Sequence, residues 1–270
     1  MRSLIAIISV AFVGLLVWGL SAKVTAQTAS SQATAAREPV VVELFTSEGC
    51  SSCPPADAIL SELDHRQPLH SAEIIAIEEH VDYWDQDGWM DPFSSAGWTA
   101  RQNVYSDVFS TGSSYTPEMV VDGSTGFVGS RGTVAIQEIE KAAKVRKAKV
   151  ELGGVSLAGD KSITLKVSVE ELSSPALKDR PEVLLAITES GLHSSVSAGE
   201  NNGKELRHSP VLRELKVIGV VGKNGQEPFT AQPTVRLDSK WIAANLRAVV
   251  FVQEKKSRHI LGAASIRLAP

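Results

Sequence analysis

Val40-Val41-Val42-Glu43-Leu44-Phe45, then Thr46-Ser47-Glu48-Gly49, then Cys50-Ser51-Ser52-Cys53-Pro54-Pro55, is the stretch that decides how the rest of the chain folds. An apolar run of this length, bounded by Thr, Ser and Gly, reads as a strand buried on both faces. Pro54 to Leu63 carry helical spacing, and proline suits a first helical turn because its missing N–H costs nothing there. The two cysteines therefore stand where a strand passes into a helix. A thiol at a helix N-terminus faces unpaired N–H groups and the positive end of the dipole, which can lower its pKa from about 8.5 to about 3.5–7.5. Cys50 is the expected nucleophile. Cys53, one turn inward, is the expected resolving thiol.

Two other uses of the pair remain open. A structural disulfide across two residues closes so short a loop that it is a weak staple. A metal site would need further ligands, for which His65 and His80 are candidates, although no second C-x-x-C supports one. Glu43 is the other residue of note. A carboxylate inside so apolar a strand must be paired, or be protonated with a raised pKa, unless it lies at an exposed edge.

Outward from this stretch, residues 38–148 alternate strand and helix: a strand at Ile74 to Ile77, a helix at Ser94 to Phe109, a strand at Met119-Val120-Val121, a strand near Phe127-Val128, and a helix from Thr133 to Lys147. Asp122-Gly123 between two apolar runs is a hairpin signal. Beyond Lys149 the period becomes two, with Ile163, Leu165, Val167 and Val169 alternating with polar residues, and similar runs at 182–188, 211–220, 233–238, 246–253 and 259–268. About seven or eight strands spaced by turn residues predict a sandwich-like domain over 149–270.

The N-terminus reads differently. Arg2 precedes an uncharged run from Leu4 to Leu20, and Val24-Thr25-Ala26 offers the small residues of a cleavage site. Residues 1–26 are expected to be a secretory signal, or an uncleaved anchor, and 27–37 a flexible leader. Either way the protein is expected to be periplasmic or secreted, touching the membrane only if the first segment is retained. The 270-residue chain is 43% hydrophobic with a net charge of −4, which excludes a disordered chain and an electrostatic nucleic-acid binder. Its two cysteines are too few for a disulfide framework, and in an oxidising compartment they are expected to pair with each other.

Tyr83 to Phe93 concentrates aromatics, and Trp84, Trp89 and Trp98 are three of the five tryptophans. These rings either cover the core or form a lip that receives an extended polypeptide. His80 closes a strand, either as a hydrogen-bonded structural residue or as a base or ligand. In the β half, Gly199 to Lys204 is turn chemistry, and His208 falls in a connector. No catalytic constellation appears there, so docking is the expected role of that half.

Glu43 to Asp57, His80-Val81-Asp82-Tyr83-Trp84-Asp85 and Tyr115-Thr116-Pro117 together resemble a family of secreted bacterial thioredoxin-like proteins of undetermined function. The likeness covers most of 39–268, including Glu200-Asn201-Asn202-Gly203 and His208. It implies an α/β thioredoxin-like domain followed by an all-β sandwich-like domain. It also implies a cis peptide before Pro117, with Pro117 packed against the cysteines and Tyr115 and Thr116 beside the substrate. Ser51-Ser52 between the cysteines and Gly49 before them depart from the common patterns, so the direction of electron flow stays open. The expectation is an exported thiol-disulfide oxidoreductase acting on protein or small thiols, with Cys50, Cys53, Pro117 and Glu43 catalytic and Thr116, Tyr115, Trp84 and Trp89 at the substrate, without cofactor or metal. The alternative is a binding module or copper metallochaperone that uses the same cysteines.

Overall fold

A computed structural model describes residues 37–157, 161–170, 172, 180–208, 210–222 and 227–268. The expected signal and leader segments lie outside the described residues, apart from Arg37. Strand β1 (Glu38–Thr46) runs into helix α1 (Pro54–Arg66), and β2 (Ala72–His80) returns parallel to β1, pairing Leu44 with Glu78 and Thr46 with His80. Helix α2 (Ala96–Phe109) follows a long loop, and then come β3 (Glu118–Val121), β4 (Thr125–Val128) and α3 (Gly132–Ala142). The second half supplies β5 (Val150–Leu157), β6 (Ser162–Val169), β7 (Glu182–Glu189), β8 (Leu192–Ser195), β9 (Glu205–His208), β10 (Val211–Val220), β11 (Phe229–Ala231), β12 (Thr234–Arg236), β13 (Leu246–Gln253) and β14 (Ile260–Arg267).

The two halves do not make two separate layers. One mixed, eight-stranded sheet runs in the order β14-β13-β7-β10-β2-β1-β3-β4. β10 joins β2 in parallel at Val211 and Glu78, so strands from residue 182 onward extend the sheet begun by β1. This corrects the expectation of an α/β thioredoxin-like domain followed by an all-β sandwich-like domain: the protein is mostly β, with three α-helices among the described residues, around a large mixed sheet. Period-two alternation identifies a strand but carries no information about which strand it pairs with, and that is why the sequence reading divided the sheet.

Alternation gives each face of the sheet its own core. Val40, Val42, Leu44, Ile74 and Ala76 pack against Leu60 and Leu63 of α1 and Ile139 of α3. On the opposite face Val41, Ile75 and Ile77 pack with Leu184, Leu212, Val249, Phe251 and Ile260 from the second half. The sheet thus curls until β13 and β14 pack over β1 and β2. A second sheet, β11-β6-β12 with β5 beside β6, packs Leu165, Val167 and Val235 on Val183, Leu185, Val250 and Val252.

The Asp122-Gly123 turn pins this curl. Both residues have positive φ, +48° and +61°, as a tight hairpin between twisted strands requires. Asp122 accepts from the Val41 N–H (2.9 Å) and forms a buried ion pair with Lys147 (2.6 Å), while its carbonyl accepts from the Ile260 N–H (2.9 Å). A Cβ on Gly123 would collide with the Arg258 carbonyl oxygen. Gly123→Ala is therefore expected to lower unfolding free energy by about 2–4 kcal/mol, from left-handed strain and overpacking together. Gly153→Ala, where a Cβ meets open space, should change it by less than about 0.5 kcal/mol. Denaturant titration of both variants checks the contrast.

Candidate functional site

Cys50 and Cys53 are joined by a disulfide, with their Cα atoms 5.4 Å apart. Two stacked turns form the loop: the Cys50 N–H bonds the Ser47 carbonyl (3.2 Å), and the Cys53 N–H bonds that of Cys50 (3.2 Å). Cys53 is the N-cap residue of α1, and Cys50 lies in the turn ahead of it. Pro54 and Pro55 remove two of the helix's first N–H groups, while those of Ala56 and Asp57 bond the Cys53 carbonyl. Fewer free donors therefore face the sulfurs than the sequence suggests.

Both cysteines are 0% exposed, although Ser51 and Ser52 between them are exposed. A loop from the second half covers them. Asn201, itself fully buried, donates from Nδ2 to the carbonyls of Glu48 (2.8 Å) and Cys50 (3.0 Å). Glu200 Oε2 accepts the Ser51 N–H (3.0 Å), and Lys204 Nζ holds Asn201 Oδ1 (2.8 Å). On the other side Trp84 packs so closely on Gly49 that a Cβ there would lie 3.0 Å from Trp84 Cβ. The Trp84 indole N–H donates to Thr116 Oγ1 (2.8 Å), and that of Trp89 donates to Glu48 Oε2 (2.8 Å). Thr116-Pro117 is a cis peptide. Pro117 is buried beside Gly129, whose N–H bonds the Pro117 carbonyl (3.0 Å). Tyr115 is half-buried, its carbonyl accepting from Gln102 Nε2 (2.7 Å).

Glu43 is brought to a different place. It points away from α1, toward α2, where Arg101 donates from Nε (2.6 Å) and Tyr105 from its hydroxyl (2.5 Å). Glu79 faces the same guanidinium at 3.4 Å. Burial drives both carboxyls up, but the cation and hydrogen bonds hold Glu43 below the usual range, whereas the neighbouring Glu43 charge pushes Glu79 well above it. Glu43 is thus an ionised partner of Arg101, on the sheet face opposite α1.

The carboxyl on the cysteine side is Asp57, four residues past Cys53 on α1. It accepts from the Thr46 hydroxyl (2.6 Å). Burial and the nearby Glu78 charge, against the opposing pull of His208, Thr46 and His80, raise it from 3.8 to about 7. Near it lie further buried groups: Glu78 and His80 at the end of β2, and His208 on β9. Sequence reading placed His208 in a connector; it is the last residue of a strand that pairs with β8. The spacing C-x-x-C-x-x-x-D, which sets Asp57 one turn from Cys53, was the available signal for Asp57. His208 and Asn201 stood only within the family resemblance, with no local signal of a role, because only folding brings them against residues 46–53.

Two expectations follow. Asn201→Ala leaves two buried carbonyls without their donor, so stability should fall by about 1–3 kcal/mol and dithiothreitol should reduce the disulfide several-fold faster; an unchanged rate would mean that residues 199–203 do not govern access. Asp57 has a raised folded pKa, so its contribution is complete below pH 3.8 and is lost as pH rises toward about 7. Asp57→Asn keeps an acceptor for Thr46 and should flatten the decline in stability over that window, as measured by denaturant titration at stepped pH.

Comparison with known proteins bears on the fold. The crystal structure of a protein from Agrobacterium tumefaciens superposes with a TM-score of 0.59 at 21% identity, covering 86% of this chain and 95% of that one, and the likeness extends to the fold alone. A domain of the outer membrane lipoprotein Omp28 from Porphyromonas gingivalis gives a TM-score of 0.26 at 18% identity, over 47% of this chain and 93% of that one. A search of curated proteins returned no match. Residues 41–253 match the family described as Protein of unknown function (DUF1223), and with most of its length covered the chain belongs to that family.

Proposed function

We propose that the protein is an exported thiol-disulfide oxidoreductase whose working group is the Cys50–Cys53 disulfide. The observation that carries the reading is a C-x-x-C disulfide at the start of a helix, with a buried carboxyl of near-neutral pKa one turn further along. Working as an oxidant, a substrate thiolate attacks Cys50 Sγ, the Cys50–Cys53 bond breaks, and Cys53 leaves as a thiolate that takes a proton from Asp57. A second substrate thiol, giving its proton to Asp57, then attacks the substrate sulfur of the mixed disulfide. This releases an oxidised substrate and a Cys50 thiolate, which solvent protonates. Two electrons pass to the protein, and the reverse sequence reduces a substrate disulfide.

Access requires the cover formed by Asn201 and Glu200 to open. A groove between α1 and β9, lined by Pro54, Asp57, Ala58, Ser61, Glu205 and Leu206, supports an approach for an extended polypeptide beside the disulfide. The complete burial of both sulfurs favours a second reading, in which the bridge locks the loop of a non-catalytic binding module.

Redox titration against glutathione separates the two. The first reading expects a reversible potential above about −300 mV, and the second a potential below it. Cys53→Ala should also accumulate mixed disulfides through Cys50, whereas Cys50→Ala should trap few; equal trapping by both variants would overturn the assignment of roles.

A further inference from the structure

Beneath the disulfide loop lies a polar cluster that exchange chemistry does not use. Alternation along β2 sends Glu78 and His80 to the α1 face, and β9 brings His208 against them. His208 Nδ1 lies 2.9 Å from Glu78 Oε1, and His80 Nε2 lies 3.4 Å from the same oxygen. The two imidazole rings stand 4.7 Å apart, nearly perpendicular. One donor atom from each of the three residues falls within 4.8 Å of the others, and all three side chains are 0% exposed.

The surroundings single these atoms out. Each imidazole has its other nitrogen held by a separate carboxylate: His80 Nδ1 by Asp91 Oδ2 (2.6 Å), and His208 Nε2 by Glu48 Oε1 (3.0 Å). Those carboxylates are fixed in turn, Asp91 by the N–H groups of Glu48 (2.8 Å) and Phe93 (2.9 Å), and Glu48 by the Trp89 indole (2.8 Å). Phe93 packs against both rings in T-shaped geometry. His80 Nε2 is buried, aimed into the cluster, and makes no hydrogen bond. Release of the Nε2 proton, with Asp91 still holding the Nδ1 N–H, would direct the Nε2 lone pair inward, which is how proteins orient imidazoles that bind metal. With metal–ligand bonds of about 2.0–2.2 Å, tetrahedral donors sit about 3.4 Å apart, close to the His80–Glu78 separation.

We infer that Glu78, His80 and His208 form a binding site for one divalent first-row transition-metal ion, separate from the cysteines. Two imidazoles and a carboxylate, with no thiolate, suit a borderline ion such as Zn²⁺ and not the soft Cu⁺ that a cysteine pair would select. The bound ion would join β2 to β9 under the residues that cover the disulfide. The competing description of the same atoms is a hydrogen-bonded charge network with no affinity for metal.

The test uses the whole protein, stripped with chelator and kept with its disulfide oxidised, titrated with Zn²⁺ and with Co²⁺. The expected result is one equivalent of Zn²⁺ bound at micromolar concentration, with a cobalt spectrum of nitrogen and oxygen ligation lacking a thiolate charge-transfer band. Asp91→Asn should weaken binding by about 10–100-fold and His208→Gln by more, while a Cys50→Ser, Cys53→Ser double variant should bind as the wild type does. Should His208→Gln fail to fold, the wild-type stoichiometry and cobalt spectrum decide alone. The inference is overturned if the wild type takes up no stoichiometric Zn²⁺, if His208→Gln folds and binds normally, or if binding disappears with the cysteines.

Discussion

The central strand of the sheet buries two consecutive acidic side chains, Glu78 and Glu79, on opposite faces, and each sits within a cluster of charged groups whose members must be paired. An unpaired buried charge costs several kcal/mol, and removing one member of such a pair typically costs about 3–5 kcal/mol. On one face the partners are Arg101 of α2 and Glu43, with Tyr105 and Gln253 of β13 beside them, and burial and the Glu43 charge hold Glu79 well above the usual carboxylate range. On the other face they are His80 and His208, held from behind by Asp91 and Glu48. Neither set is local in sequence. Satisfying these charges requires α2, the long loop before it, β9 and β13 to reach their places together, which ties the second half of the chain to the first.

The disulfide loop sits on top of one of these networks. Glu48 belongs both to the loop, two residues before Cys50, and to the network, through His208 and Trp89. Asn201 then ties the same stretch to the second half from outside. The cysteines are therefore enclosed by groups whose positions depend on buried charge. Anything that alters the charge cluster, such as proton uptake or ion binding, acts within two residues of Cys50.

Much of the local structure was legible in the primary sequence. The run from Val40 to Phe45, the proline-led helix, the Asp122-Gly123 turn and the alternation after Lys149 each follow from short-range sterics and from solvent exclusion at periods of 3.6 and 2. Glu43 stood out for a sound reason, since a carboxylate there had to be paired, but nothing near it in sequence shows that the partner is Arg101 or that its side chain points away from α1. His208 looked like a connector because β8 and β9 are four residues long and each alternates too briefly to register.

The amino-acid sequence by itself determined the helices and most of the longer strands of the described residues, and which two thiols pair. These are local matters, set by side-chain volume, backbone freedom and the presence of only two cysteines. Tertiary structure alone decided that the strands form one curled mixed sheet, that Asn201 covers the disulfide, and that Glu78, His80 and His208 share one buried volume. Those outcomes depend on strand order and register between residues more than a hundred positions apart. Hydrophobic periodicity constrains which face of a strand is buried and says nothing about what it is buried against.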